Sequence, residues 1–225
     1  MDIKEVKDLT HDMAEGMLTF GAHWHVPFTM NQLGRHGVEG RETRQVSFGT
    51  HTGTQVDAPL HFIKDGKSIE QVSPEVLLGK VSIFDFSHKK KGDHVSLSDL
   101  EALTLSERVV FFFNWAQYWP DKEFYEGYPY FTEEAAKCLV EQGVKLIGFD
   151  SPSPDDPKTK LAGDVLGTDT DSPVHKILLS RDVAIAEYLA NLDQLKGDFE
   201  GWNIAAMPLR LKGADGSPAR IFLFR

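Results

Sequence analysis

The chain has 225 residues, of which 41% are hydrophobic and 26% charged, close to the averages for soluble globular proteins. Its 34 acidic and 24 basic residues give a formal net charge of -10, which disfavours binding to nucleic acid or to an anionic membrane surface. No apolar run approaches the ~20 residues that a transmembrane helix needs, so the sequence predicts no membrane span.

Cellular location and domain organisation are predicted from simple features of the chain. Cys138 is the only cysteine, and the first residues lack the basic segment followed by an apolar one that marks a secretory signal. We therefore expect a cytoplasmic protein. No linker rich in glycine, serine or proline divides the chain, so we expect residues 1–225 to form one domain.

Six segments have the composition of strands, because most are rich in β-branched or aromatic residues. In chain order these segments are 44–48, 80–87, 108–114, 145–150, 202–209 and 219–224. Two helices are predicted in the second half of the chain. One begins after Thr132, an expected N-cap, and ends at Gly143. The other begins at Ser172-Pro173, a capping residue followed by a proline that fits the first helical turn.

The balance of strands and helices limits the fold class. Strands outnumber helices and do not alternate with them regularly, which favours an α/β or α+β arrangement around a sheet over a Rossmann fold or a TIM barrel.

The segment from His51 to His61 carries the strongest functional signal. Its odd-numbered positions include four side chains that can bind a metal ion: His51, Gln55, Asp57 and His61. In an extended strand these side chains would lie on one face, with Val56, Ala58 and Leu60 on the other. Imidazole and carboxylate groups are common ligands of zinc and manganese, so the pattern is consistent with a metal site. A solvated edge strand explains the same alternation equally well.

This segment resembles the signature His-x-Gly-Thr-His-x-Asp-x-Pro-x-His of the cyclase family of metal-dependent hydrolases, which includes bacterial kynurenine formamidase and isatin hydrolase. The positions that match in register are His51, Gly53, Thr54, Asp57, Pro59 and His61. The chain also resembles further family segments, in the same order, at residues 8–11, 148–155, 175–179 and 187–192. The resemblance implies an α/β fold of the swivelling β/β/α type, with a mixed sheet core and few helices.

The resemblance also implies a set of site residues. The metal ligands fall at His51, Gln55, Asp57, His175 and Glu187. His61 corresponds to the acid/base residue, and a substrate-stacking aromatic residue falls at about Phe20 by a looser alignment. The expected cofactor is a divalent metal, zinc or manganese, as one or two ions. Nearby, His23 and His25 flank Trp24 and could form a second ligand pair or a wall of the substrate pocket.

Gln55 is the main departure from the family signature, which has a histidine at this position. An amide oxygen is a weaker and harder ligand than imidazole, so the substitution bears on the number and identity of the ions. The resemblance implies hydrolysis of a carbon–nitrogen amide bond in a small molecule, either an aryl formamide or a cyclic amide, by a homodimer or homotetramer. Two alternatives stay open: a non-catalytic metal-binding member of the fold, and a lyase that uses the same metal and base.

Overall fold

A computed structural model describes residues 2–22, 24–158 and 171–225 of the chain. Its main element is a nine-stranded sheet. The order across this sheet is β5 (Leu78–Lys80), β12 (Asn203–Pro208), β13 (Gly216–Phe224), β4 (Gln55–Asp57), β11 (Ala184–Glu187), β10 (Leu146–Phe149), β8 (Arg108–Phe112) and β6 (Ser82–Asp85). Strand β1 (Val6–Asp8) joins it by pairing with β13.

The sheet is parallel in one half and antiparallel in the other. Strands β6, β8, β10 and β11 run parallel, whereas β4, β13, β12 and β5 pair antiparallel with their neighbours. Two small sheets pair β2 (Thr29–Gly34) with β3 (Thr43–Ser47), and β7 (His94–Val95) with β9 (Tyr130–Phe131). The predicted mixed sheet core is confirmed.

Helices are short in the described part of the chain. The α-helices there are α1 (His36–Glu39), α2 (Pro74–Leu77), α3 (Leu97–Leu100), α4 (Glu133–Glu141) and α5 (Pro173–Leu179). Single 3-10 turns span Pro59–His61, Ile69–Gln71, Ala116–Tyr118, Lys122–Tyr125 and Leu192–Leu195. Helix α4 starts as predicted, since the Thr132 hydroxyl accepts a hydrogen bond from the Ala135 N–H at 3.2 Å. None of the helices among these residues is long and apolar enough to cross a membrane.

The central strands are buried on both faces by two apolar clusters. Phe111 and Ile147 point to the side where residues of α4 and α5 pack. Val110, Leu146 and Val56 belong to the second cluster, on the opposite face. Burial on both faces explains why these strands read as continuous apolar runs in the sequence. Apolar packing thus fixes β11 from both sides, with Ile185 in the first cluster and Ala186 in the second, and fixes β4 from the side of Val56.

The segment 51–61 is not the continuous extended strand that its alternation predicted. Only Gln55–Asp57 form a strand; Gly53 before it has φ +64°, and Pro59 after it begins a 3-10 turn. Glycine adopts a positive φ without strain, and the fixed φ of proline suits the first residue of a helical turn. The prediction of one extended strand was wrong, and so was the edge-strand alternative, because β4 is buried between β13 and β11.

Helix α5 begins where predicted but is capped by a different residue. Ser172 has a left-handed backbone conformation, and its side chain makes no capping hydrogen bond. The carboxylate of Asp155 takes this role by accepting from the N–H groups of Val174 at 2.7 Å and His175 at 3.3 Å. A carboxylate at this end satisfies free N–H groups and interacts favourably with the helix dipole.

One histidine outside the sheet makes the stability of the fold depend on pH. His11 stacks on Trp119 with ring centroids 4.8 Å apart, and its Nε2 is buried without a hydrogen-bond partner among the described residues. Burial disfavours the imidazolium form and lowers the pKa of His11 to about 4. Between about pH 6.5 and this lower value the unfolded chain binds more protons at His11 than the folded one, so the folded state loses stability as the pH falls.

Replacing His11 with Phe keeps a flat ring against Trp119 but removes the titrating group. Between about pH 7.5 and pH 5, the free energy of unfolding should fall by about 2 kcal/mol less in the variant than in the native protein. Chemical denaturation at both pH values measures the difference. His36→Gln, which removes an exposed histidine of α1, is the control. An equal loss in His11→Phe and native protein would contradict the prediction.

Candidate active site

Three polar side chains meet where β4 pairs with β11. Gln55 lies opposite Glu187 in the antiparallel register, and Asp57 is two residues farther along the same face of β4. All three side chains are buried. The Gln55 amide donates from Nε2 to Asp57 Oδ1 at 3.2 Å and to Glu187 Oε2 at 3.0 Å. The strand register alone therefore brings two carboxylates and an amide together.

Two histidines reach this cluster from outside the strand pair. His51, in the bend before β4, places Nδ1 2.9 Å from Asp57 Oδ1 and 3.1 Å from Gln55 Nε2. His175, in the first turn of α5, places Nε2 3.2 Å from Glu187 Oε1 and 3.5 Å from Asp57 Oδ2. The structure thus brings together all five positions for which the family resemblance implies metal ligands.

The cluster holds acceptor atoms that its own hydrogens do not satisfy. The Gln55 amide oxygen and Asp57 Oδ2 are buried without a hydrogen-bond partner among the described residues. Burial alone would raise the pKa of Asp57, but His51 and His175 lower it below its ordinary value. Burial alone would lower the pKa of His51, but Asp57 and Asp215 raise it to about 10. Buried carboxylates need nearby positive charge, from protonated imidazoles or from a cation.

The donor set fits a divalent metal ion. His51 and His175 offer imidazole nitrogens, and Asp57 and Glu187 offer carboxylate oxygens, which are the ligand types that zinc and manganese use. Asp57 and His175 also form, with His61, a group whose ligand atoms all lie within 4.8 Å of one another. Gln55 differs from the other four, because it turns its NH₂ group toward the acceptors instead of its oxygen.

His61 lies beside the cluster, in the 3-10 turn that follows β4. Its ring stacks on that of His51 with centroids 3.8 Å apart. Burial lowers the pKa of His61, an effect that its hydrogen bond to Asp215 opposes in part. An imidazole that is neutral at neutral pH can accept a proton from a reacting group. The position is therefore compatible with the proton-transfer role that the resemblance implies.

Asp215 is a site residue that the sequence analysis missed. Its Oδ2 lies 2.8 Å from His51 Nε2 and 3.2 Å from His61 Nδ1. In the sequence it is an acidic residue in a turn, 154 positions after His61. Only the pairing of β13 with β4 brings it here, and no local pattern in the chain signals that pairing.

The site opens into a cavity of about 470 Å³. Most of the polar cluster lines it, together with aromatic side chains from three parts of the chain: Phe20 and Trp24, Phe62, and Tyr188. Phe20, at the position implied for substrate stacking, is thus part of the cavity wall. His25 also lines the cavity, whereas His23 lies outside the described residues. The combination of apolar walls and a few convergent polar groups is typical of a small-molecule site.

Thr54 of the signature holds the site together. Its hydroxyl donates to the Tyr188 carbonyl at 2.6 Å and accepts from the His11 N–H at 2.9 Å. These bonds tie the bend before β4 to the end of β11 and to the N-terminal segment. Thr54 therefore acts on the framework of the site rather than on a ligand.

Known proteins share this fold and sequence pattern. Isatin hydrolase A from Ralstonia solanacearum superposes with a TM-score of 0.85 at 23% identity, covering 98% of this chain and 91% of that one. A predicted metal-dependent hydrolase from Bacillus stearothermophilus gives a TM-score of 0.71 at 26% identity, with 98% of each chain covered. These neighbours confirm the expected fold class.

Sequence comparison gives the family. Residues 7–156 match the family model Cyclase, described as "Putative cyclase". Kynurenine formamidase from Geobacillus thermodenitrificans (strain NG80-2) is 33% identical over 181 residues, which cover 80% of this chain and 78% of the relative. The chain belongs to the cyclase family, as its resemblance to the signature implied.

The link between Asp155 and His175 gives a prediction about metal binding. Asp155 Oδ2 lies 2.5 Å from His175 Nδ1, which orients the ring so that Nε2 faces the cluster. Asp155→Asn removes the charge that holds this orientation, so zinc should bind about 10–100-fold more weakly. Competition titration against a chelator measures the affinity. Asp182→Asn, in an exposed pair with Lys67, is the charge-matched control. Native affinity in Asp155→Asn would show that the carboxylate does not orient the ring.

Proposed function

We propose that the chain is a metal-dependent hydrolase of a carbon–nitrogen amide bond and that its substrate is an aryl formamide. The observation that carries this proposal is the buried cluster of two histidines and two carboxylates that lies beside His61 and an aromatic-walled cavity. The relatives at 30% identity or more are named kynurenine formamidase, which favours a formamide over a cyclic amide. The isatin hydrolases, at 21–23% identity, support only the fold.

Four side chains would hold the metal: His51, Asp57, His175 and Glu187. A bound zinc or manganese ion polarises an amide carbonyl and makes a water molecule acidic enough to attack it near neutral pH. Asp57 has two carboxylate oxygens, one toward His51 and one toward His175, so it would hold one ion or bridge two. Burial of these side chains keeps competing water away from the ligands.

His61 would move the proton during the reaction. Its Nδ1 faces Asp215, which leaves Nε2 for the attacking water. As the water oxygen bonds to the carbonyl carbon, His61 takes up the released proton. It then returns that proton to the amide nitrogen as the carbon–nitrogen bond breaks, which frees formate and an aryl amine. An imidazole, with an ordinary pKa of about 6.5, is suited to both transfers.

The cavity walls would select an aromatic substrate. Phe20 and Trp24 come from the N-terminal segment, and Phe62 directly follows His61. Flat apolar side chains favour an aromatic ring by stacking and edge contacts. We propose Phe20 as the residue that stacks on the substrate ring.

We also propose that the protein acts in the cytoplasm as a homodimer or homotetramer. The hairpin of β2 and β3, with α1 between them, exposes large apolar side chains. Leu33 is 61% exposed, Val38 74% and Val46 49%. Apolar side chains grouped on a surface mark sites where protein chains associate. A second copy of this chain would cover them.

Activity measurements on the native chain and His61→Ala test the proposed function. Native protein loaded with zinc or manganese should release an aryl amine from N-formylkynurenine. The change in absorbance measures the rate of this release. His61→Ala should lower turnover by roughly 10²–10⁴-fold, because the proton acceptor is lost, and should keep its metal. Metal content is measured by mass spectrometry, with the exposed His36→Ala as control.

Three results would contradict the proposal in different ways. Loss of metal together with activity in His61→Ala would make His61 a ligand. Hydrolysis of isatin but not of the formamide would show that the substrate is a cyclic amide rather than an aryl formamide. Metal binding without hydrolysis of either compound would make the chain a binding protein.

Gln55 gives a prediction about the ion. Its NH₂ group donates to Asp57 and Glu187 and lies 3.1 Å from His51 Nδ1, so it competes with a cation for the two carboxylates. Gln55→His would remove this donor and add a nitrogen ligand. We expect the native chain to hold a single ion, or to prefer zinc over manganese less strongly than the variant does. Titration of metal-free protein with each ion measures both properties. Equal stoichiometry and preference in the two proteins would make Gln55 a silent substitution.

A further inference from the structure

The carboxylate of Asp215 joins two histidines that have different proposed tasks. A single oxygen, Oδ2, lies 2.8 Å from Nε2 of His51 and 3.2 Å from Nδ1 of His61. The two rings are stacked, with an interplanar angle of 25°, so both nitrogens approach this oxygen from the same side. An ionised carboxylate only accepts hydrogen bonds. Each of the two nitrogens must therefore carry the hydrogen in its bond to Asp215.

This requirement selects one tautomer for each neutral ring. A neutral imidazole carries one hydrogen, and the other nitrogen keeps its lone pair. With the hydrogen on Nε2, a neutral His51 keeps its Nδ1 lone pair for the ligand cluster, where Nδ1 lies 3.1 Å from Gln55 Nε2. Without a cation, the Asp57 oxygen 2.9 Å away favours a second hydrogen on Nδ1, so this tautomer belongs to the metal-loaded site. With the hydrogen on Nδ1, His61 keeps Nε2 as a proton acceptor. One carboxylate thus selects the ligand form of His51 and the base form of His61.

The backbone, rather than deep burial, fixes the position of Asp215. Its side chain is 35% exposed, but its carbonyl accepts from the Ala58 N–H at 3.0 Å. The next residue, Gly216, pairs with Asp57 across the two strands. A Cβ on Gly216 would lie 2.8 Å from His51 Cε1 and 3.0 Å from the Val56 carbonyl oxygen. Only glycine lets the chain pass this close to the His51 ring.

We propose that Asp215 is a positioning residue that holds His51 in its metal-binding tautomer and His61 in its proton-accepting tautomer. The kinetic part rests on the proposed function, whereas the tautomers themselves do not. A carboxylate bonded to the far nitrogen of a ligand histidine orients the ring and makes it a better ligand. The same arrangement on a catalytic histidine fixes its tautomer, and an amide in place of the carboxylate loses this control.

The experiment compares Asp215→Asn with the native full-length chain. ¹⁵N spectra of labelled histidine side chains report directly which ring nitrogen carries the hydrogen, in zinc-loaded and in chelator-treated protein. The signals of His61 are identified by their loss in His61→Ala. In Asp215→Asn we expect a population of the other His61 tautomer, and a kcat on N-formylkynurenine about 10²–10⁴-fold lower with KM within a few-fold of native. Zinc affinity should fall about 10–100-fold.

Two further variants keep the test decisive. Asp215→Glu retains a carboxylate, so it should show the native tautomer pattern at least in part. If Asp215 had only a structural role, keeping the carboxylate would not be expected to preserve this pattern. Asp182→Asn removes the same charge at an exposed pair with Lys67 and should match the native protein in spectra and rates.

The outcomes separate this proposal from the proposed function. An unchanged tautomer pattern in Asp215→Asn would overturn the positioning role, whatever the activity. Complete loss of zinc binding in Asp215→Asn, even at high zinc concentration, would mean that Asp215 is itself a metal ligand together with His51 and His61. This result would also overturn the positioning role. A native chain that hydrolyses no amide, but whose tautomers shift in Asp215→Asn, would support the positioning role and refute the proposed function.

Discussion

The site depends on one electrostatic constraint: two carboxylates are buried side by side among a limited number of hydrogens. Asp57 and Glu187 are 0% and 3% exposed, and water cannot solvate their charge. The imidazoles of His51 and His175 and the amide hydrogens of Gln55 reach them. A divalent cation would balance both charges at once. The same cation would account for the direction of the two histidines, which point into the cluster rather than toward solvent.

Non-local pairing brings the required side chains together and holds them. The register of β4 with β11 places Gln55 against Glu187, and the register of β4 with β13 brings Asp215 to His51. Asp155 links the start of α5 to the His175 ring. Both histidines that reach the cluster are thus oriented by a bond on their outer side. Such supporting bonds tune the first ligands of a metal as strongly as the ligands' own identity does.

The sequence predicted the central strands β8 and β10 and the members of the cluster, but neither strand β11 nor how these parts meet. Strands β8 and β10 were predictable because burial on both faces leaves uniform apolar runs. The signature identified His51 and His61, yet their convergence comes from bends at Gly53 and Pro59 that alternation does not reveal. Asp215 could not be found, because strand register across distant segments is not written in local periodicity. The cytoplasmic location and the assembly stay predictions.

Anomalous diffraction from crystals grown with zinc is the most direct measurement of the central claim, that one divalent ion lies among two imidazoles and two carboxylates. Data collected on both sides of the zinc absorption edge should show a peak about 2.0–2.3 Å from His51 Nδ1, His175 Nε2 and oxygens of Asp57 and Glu187. A peak held by His51 Nε2, His61 and Asp215 instead, or no peak within the cluster at saturating zinc, would contradict it.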